Sequence, residues 1–171
     1  MRNFISEDDI EQAILQKLEG DPFQYGILRC DPSPDKRELL PDGTGRSSKK
    51  ECVLPLILRE ALARLNPDIP GEKLEEIARD LCRDFSATDM TATNYKYYNQ
   101  IRNGIKISLR RNGKEDFDFV KLVDFDRPEN NTFTAVSQMW IQGRVYWRRP
   151  DVLIFINGLP MVFVELKNSI V

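Results

Sequence analysis

RRPDVLIFINGLPMVFVELKNS, residues 148–169, holds two apolar segments, Val152–Ile156 and Met161–Leu166, on either side of an Asn-Gly pair. Runs of this length with a glycine between them read as a β-hairpin. Asn157-Gly158-Leu159 can serve as a three-residue loop in which glycine supplies a positive φ. With Ile156 opposite Pro160, Phe155 faces Met161, Leu153 faces Phe163 and Asp151 faces Glu165. Directly opposed residues leave the same face of a sheet with their Cβ atoms about 5 Å apart. Lys167, two residues past Glu165, shares that face. A slip of one residue would scatter the trio. Glu165-Leu166-Lys167 is also the only acid-x-Lys triplet in the chain. Both strands are apolar throughout, which implies a sheet covered on both faces, with charges gathered where the core ends. Two ionised carboxylates opposed in this way repel and call for a cation, and a hard divalent metal with oxygen ligands fits.

Working outward, the texture of the chain changes at Gly104. Beyond it, Ile105, Ile107 and Leu109 alternate, Asn112-Gly113 is a hairpin-type turn, and strands are expected over Phe117–Phe125 and Asn131–Ile141. Before it the pattern is helical. Ser6 caps a first helix whose opening turn is acidic and whose stripe is Ile10, Ala13, Ile14 and Leu18, stopped by Gly20 and Asp21-Pro22. Helices are expected at about 51–65 and 71–84, the second with Leu74, Ile77, Ala78 and Leu81 on one face, and a third from Thr88 to Arg102 carrying Tyr95, Tyr97 and Tyr98. Those tyrosines have the shape to stack on bases, although packing with a wet hydroxyl explains them as well. Residues 29–50, rich in Pro, Gly, Ser and charge, read as a long surface loop. Within it GTGRSSKK lacks the Gly-Lys-Ser/Thr spacing and the preceding strand of a phosphate loop, so no ATP site is expected in this chain. The expected class is therefore mixed α/β (α+β): a 29–50 loop, a helical insertion at 51–103, and a sheet at 104–171 that carries the chemistry.

Composition narrows the chemistry. The chain has 171 residues, 41% of them hydrophobic and 30% charged, which suits one globular domain. No apolar run approaches a membrane span, and the acidic start MRNFISEDDIEQ has no signal region, so the expected location is cytoplasmic. Three dispersed cysteines, Cys30, Cys52 and Cys82, make neither a disulfide framework nor a zinc knuckle. There is no histidine, which excludes Ser-His-Asp and Cys-His triads, histidine-bound zinc and histidine-base nucleases. Hydrolysis here must rest on carboxylates, lysine and a hard metal. The net charge is −2, yet the cations are clustered: 100–114 holds Arg102, Lys106, Arg110, Arg111 and Lys114 without an acid, and 130–150 holds Arg144, Arg148 and Arg149 without one. Such stretches can contact phosphates, and equally can be solvated faces.

Pro150-Asp151 followed by Glu165-x-Lys167 across two apolar strands resembles the PD-(D/E)xK nuclease motif. The wider wording of 148–169 closely resembles the endonuclease motif of type I restriction enzyme R subunits. DIEQAI (9–14) resembles the family's N-terminal glutamate helix, and VKLVDFDRPENNTFTAVSQMW (120–140) the strand before the motif. The resemblance spans nearly the whole chain and is strongest over 117–169. It implies a restriction-endonuclease-like core with N-terminal helices and a mixed sheet. Asp151 and Glu165 would bind Mg²⁺, for which Mn²⁺ substitutes, and Lys167 would position the attacking water and offset transition-state charge. Glu11 would approach the metal, Gln138 would assist by a hydrogen bond, and Arg148 and Arg149, with Arg144 a weaker candidate, would grip DNA phosphates. The implied partners are double-stranded DNA and the modification and specificity subunits. The family also continues past the lysine with a Gln-x-x-x-Tyr motif and then ATP-driven motor modules. The expectation is thus an N-terminal endonuclease domain, 1–171, of a longer chain, with ATP bound only in the motor. Two alternatives stay open: another PD-(D/E)xK nuclease of repair or recombination, and a non-catalytic docking module of the restriction complex.

Overall fold

The structure, a computed structural model, describes residues 6–83, 89–111 and 114–167. Ser6 opens helix α1 (Glu7–Glu19) with a full capping box: its hydroxyl accepts the Asp9 amide while the Asp9 carboxylate accepts the Ser6 amide. Strand β1 (Gly26–Arg29) follows, then a long connection with one 3₁₀ turn at Pro34–Lys36. Helices α2 (Pro55–Leu65), α3 (Gly71–Leu81) and α4 (Met90–Asn103) precede the hairpin β2 (Ile105–Arg111) and β3 (Lys114–Val120). The chain then adds β4 (Phe133–Ser137), the short pair β5 (Ile141–Gln142) and β6 (Trp147–Arg148), and the strands β7 (Val152–Ile156) and β8 (Leu159–Val164). The expected Asn112-Gly113 turn lies outside the described residues. No helix among the described residues is long and apolar enough to cross a membrane.

The main sheet has the order β1-β4-β7-β8, with β1 parallel to β4 and the other pairs antiparallel, so the mixed α/β class holds. Period-2 alternation gives it two apolar faces. Val136, Leu153 and Phe155 meet Leu54 and Ile57 at the start of α2. Ala135, Val152 and Ile154 meet Leu15 of α1. A second core lies where α2 and α3 cover the β2–β3 hairpin, with Leu58, Leu62, Leu74, Ile77, Ala78 and Leu81 against Leu109, Val120 and Leu122. Full burial of side chains of this size contributes about 1.5–3 kcal/mol each.

Several expectations change. The sheet is not confined to 104–171, because β1 from the N-terminal part forms one edge. The strand expected over Phe117–Phe125 stops at Val120, where buried Asn66 captures the backbone: its amide nitrogen donates to the Lys121 carbonyl and its oxygen accepts the Lys121 amide, at 2.9 and 2.7 Å. The strand expected over Asn131–Ile141 stops at Ser137, since Gln138 turns to φ +55°. The inward face of α1 keeps Leu18 of the expected stripe but is otherwise turned. Leu15 and Glu11 face inward, while Ile10 is 38% exposed. The 29–50 loop is exposed for much of its length, but its later part is not a surface loop. Thr44, Arg46 and Lys49 are buried there.

The hairpin β7–β8 turns tighter than expected. Asn157 and Gly158 both have positive φ (52° and 79°), so the loop has two residues and Ile156 faces Leu159. A bulge between Ile154 and Phe155 takes up the extra residue, after which Ile154 faces Val162 and Leu153 faces Phe163 as expected. The turn is itself buried. The Asn157 side chain donates to the Leu122 carbonyl and to Asn131 and accepts the Thr132 amide, all within 2.9 Å. The Gly158 carbonyl accepts the Leu54 amide at 2.9 Å, at the first turn of α2.

Candidate active site

Three of the expected side chains converge from three elements. Glu11 comes from the inward face of α1, Gln138 from the end of β4 and Asp151 from the start of β7. Gln138 and Asp151 are tied through the backbone, the Gln138 amide donating to the Asp151 carbonyl at 3.0 Å. The Gln138 side-chain nitrogen donates to the Glu11 carboxylate and reaches Asp151 Oδ1 at 3.4 Å. Its left-handed backbone conformation is unusual for a side chain of this size, and strain of that kind concentrates at functional sites. The amide oxygen of Gln138 is buried and has no hydrogen-bond partner among the described residues.

Glu11 is buried to 5% exposure. Burial pushes its carboxyl above the usual range, the Gln138 hydrogen bond pulls it back, and the charge of Asp151 pushes it up again. Arg149 counters from nearby. That guanidinium is held in place, its Nη1 donating to the Pro32 carbonyl at 2.6 Å while it sits 5.2 Å over the Trp140 ring. Arg148 is exposed and stacks at 5.5 Å on Tyr146, and Arg144 is exposed.

Glu165 and Lys167 form a second group. Their side chains meet at 3.2 Å, and Lys167 is 80% exposed. Strand pairing ends at Val152–Val164, so Asp151 and Glu165 lie one step past the ladder and form no ladder pair. Instead Asp151 Oδ2 accepts the Leu166 amide at 2.6 Å. That amide lies between Glu165 and Lys167 in the chain and so joins the two groups. Among the described residues, no group of three or more His, Cys, Asp or Glu side chains is placed to hold a metal ion. The donors that do gather are the carboxylates of Glu11 and Asp151, both within reach of the Gln138 side-chain nitrogen. They are all oxygen, the set that suits a hard cation keeping several waters.

One part of the surroundings was not foreseen. Asp42 takes Lys49 Nζ and Arg46 Nη2 on one oxygen, each at 2.6 Å, and the Thr44 hydroxyl on the other. Burial pushes the Asp42 carboxyl up, but the bonds from Lys49 and Thr44 and the Arg46 guanidinium outweigh it and hold it well below the usual range. Arg46 also donates to the Trp140 carbonyl at 3.1 Å, and the Lys49 carbonyl accepts the Gln142 amide at 2.9 Å. The GTGRSSKK segment thus fastens the Trp140 region, on which Arg149 rests. Its only signal in the sequence is an acid shortly ahead of two cations and a threonine.

A family model described as the type I restriction enzyme R protein N terminus matches residues 4–171. The type I restriction enzyme HindI endonuclease subunit of Haemophilus influenzae is 32% identical over 167 residues, covering 97% of this chain and 15% of that protein. The putative type I restriction enzyme MjaIXP endonuclease subunit of Methanocaldococcus jannaschii is 28% identical over 167 residues, covering 93% of this chain and 15% of that protein. The chain thus spans about 15% of the length of these curated relatives.

Proposed function

This chain belongs to the family of type I restriction enzyme R protein N termini, and on that premise we propose that it is the Mg²⁺-dependent DNA-cutting domain of such an enzyme. The observation that carries the reading is the convergence of Glu11, Gln138 and Asp151 on one point, where the Gln138 side-chain nitrogen reaches both carboxylates. Asp151, Glu165 and Glu11 would hold the cation, Glu11 directly or through water. A bound Mg²⁺ supplies Lewis-acid polarisation of a phosphodiester and lowers the pKa of a coordinated water. The chain's own residues do the rest. Gln138 fixes Glu11 and Asp151 relative to each other. Exposed Lys167, tethered to Glu165, orients the attacking water and offsets the charge that develops on the phosphate. Arg149, locked on Trp140 and Pro32, together with Arg148, engages the DNA backbone.

In the whole protein, cutting would be indifferent to the sequence at the cut site and coupled to ATP-driven translocation by modules outside this chain. The partners would be double-stranded DNA and the modification and specificity subunits, in the cytoplasm. Family membership sets aside the repair or recombination nuclease.

Calorimetric titration with Mn²⁺ tests the reading. Wild type should bind one ion, and Asp151→Asn and Glu11→Gln should each weaken binding. Unchanged affinity in Asp151→Asn excludes that carboxylate as a ligand.

A further inference from the structure

The β2–β3 hairpin turns one face away from the core. Its register places Lys106 opposite Phe119, Ser108 opposite Phe117 and Arg110 opposite Glu115, and all six side chains lie on that outer face. Phe117 and Phe119 are 56% and 55% exposed. They stand two residues apart on one strand, hence about 7 Å. Lys106 Nζ sits 4.1 Å over the Phe117 ring. At the far end of the preceding connection, Arg102 on α4 donates to the hydroxyl of Tyr98, itself 55% exposed, at 2.8 Å. Gly104 joins the two parts at φ +79°, where a Cβ would lie 2.9 Å from the Val120 carbonyl oxygen and 3.4 Å from Phe119 Cβ. The acid on the face, Glu115, is engaged by the Ser108 hydroxyl at 2.7 Å.

We infer that this outer hairpin face, Phe117 and Phe119 with Lys106 and Arg110, is a stacking platform for single-stranded DNA, separate from the cutting centre. Exposed rings stack on the faces of unpaired bases, and interleaved cations follow the phosphates. Duplex DNA offers no free base face to these rings, so the platform selects the open strand. Among the described residues, Lys106, Arg110 and the nearby Arg102 outnumber Glu115 and give the face the charge sign that a polyanion requires. The inference names a further site for the DNA of the proposed function, but it needs neither the metal nor cutting.

The test uses this chain in EDTA and the fluorescence anisotropy of a short labelled oligo(dT), with a duplex of the same length as the comparison. Oligo(dT) should bind more tightly than duplex. Phe117→Ala and Phe119→Ala should each weaken it about tenfold, the loss expected for one base stack, and Phe117→Trp should retain binding. Lys106→Ala should lower affinity and reduce the salt slope by about 0.7. Phe23→Ala, a change at an exposed ring near β1, should have no effect. Wild-type chain irradiated with an iodouracil-substituted oligonucleotide should crosslink through the peptide carrying Phe117 and Phe119. Equal binding of duplex, an unaltered double Phe variant, or crosslinks only elsewhere would overturn the inference. So would self-association in sedimentation that the double Phe variant abolishes without changing DNA affinity, since the face would then be a protein interface. The Phe variants should keep Mn²⁺ binding, so failure here is distinct from failure of the nuclease reading.

Discussion

Lys167 and Asp42 represent opposite roles for a charged side chain. Lys167 is 80% exposed and, among the described residues, bonded to Glu165 two residues away, so its loss should leave the fold alone. Lys167→Ala in the whole restriction complex should reduce plasmid cleavage at least a hundredfold, while the melting temperature of the chain moves little, a surface change being worth within about 0.5 kcal/mol. Cleavage at the wild-type rate would remove Lys167 from the mechanism. Asp42 is the reverse case, since its removal leaves Arg46 and Lys49 buried without a counter-charge. Asp42→Asn should cost about 3–5 kcal/mol at neutral pH in urea unfolding. The folded-state pKa of Asp42 is depressed, so its contribution is complete above the unfolded value of about 3.9 and is lost as pH falls through the lower folded value. The gap between wild type and variant should therefore hold down to about pH 4 and close only below it. A gap that does not change with pH would mean that the carboxylate charge is not its source.

At the scale of the element, the β7–β8 hairpin positions the candidate site because its turn is clamped. A Cβ on Gly158 would lie 2.6 Å from the Leu54 carbonyl oxygen and 2.8 Å from the Leu58 amide, both backbone, and the residue has φ +79°. Gly158→Ala should cost about 2–4 kcal/mol, combining overpacking with left-handed strain, and the loss should appear as a lower urea midpoint. A neutral substitution would mean that the turn is not seated against α2. This hairpin was legible from the residues because its cues are local: two apolar runs, an Asn-Gly turn and an acid at each end. The bulge was not legible, although it kept Leu153 opposite Phe163. β1 was missed because four residues ending in a parallel pairing with distant β4 leave almost no local pattern. The helix α1 was visible from its cap and acids, but its inward face was not, since a glutamate on an amphipathic helix reads as solvated until its partners, Gln138 and Asp151, are in place. The Asp42 network escaped for the same reason: burial of a charge is decided by residues far away in the chain.

For the molecule as a whole, a cation held by Glu11, Asp151 and Glu165 would tie α1 to the middle and the edge of the sheet. Saturating Mn²⁺, at about a hundred times its dissociation constant, should stabilise the fold by about 2.7 kcal/mol. Thermal melts should show the rise in wild type and its loss in Asp151→Asn. A rise in both proteins would place the ion elsewhere. The same architecture sets an order of events during synthesis. β1 pairs through Gly26 with Thr134, so roughly a hundred residues separate the partners. At ~5–20 residues per second, the ribosome delivers β4 about 5–20 seconds after β1 emerges. Throughout that wait α1 has no sheet to settle on, and Glu11 stays in water. The first of the proposed site's carboxylates to be made is among the last groups to reach its place, so under the proposed function a nascent chain caught before β7 emerges would not yet hold an assembled cutting centre.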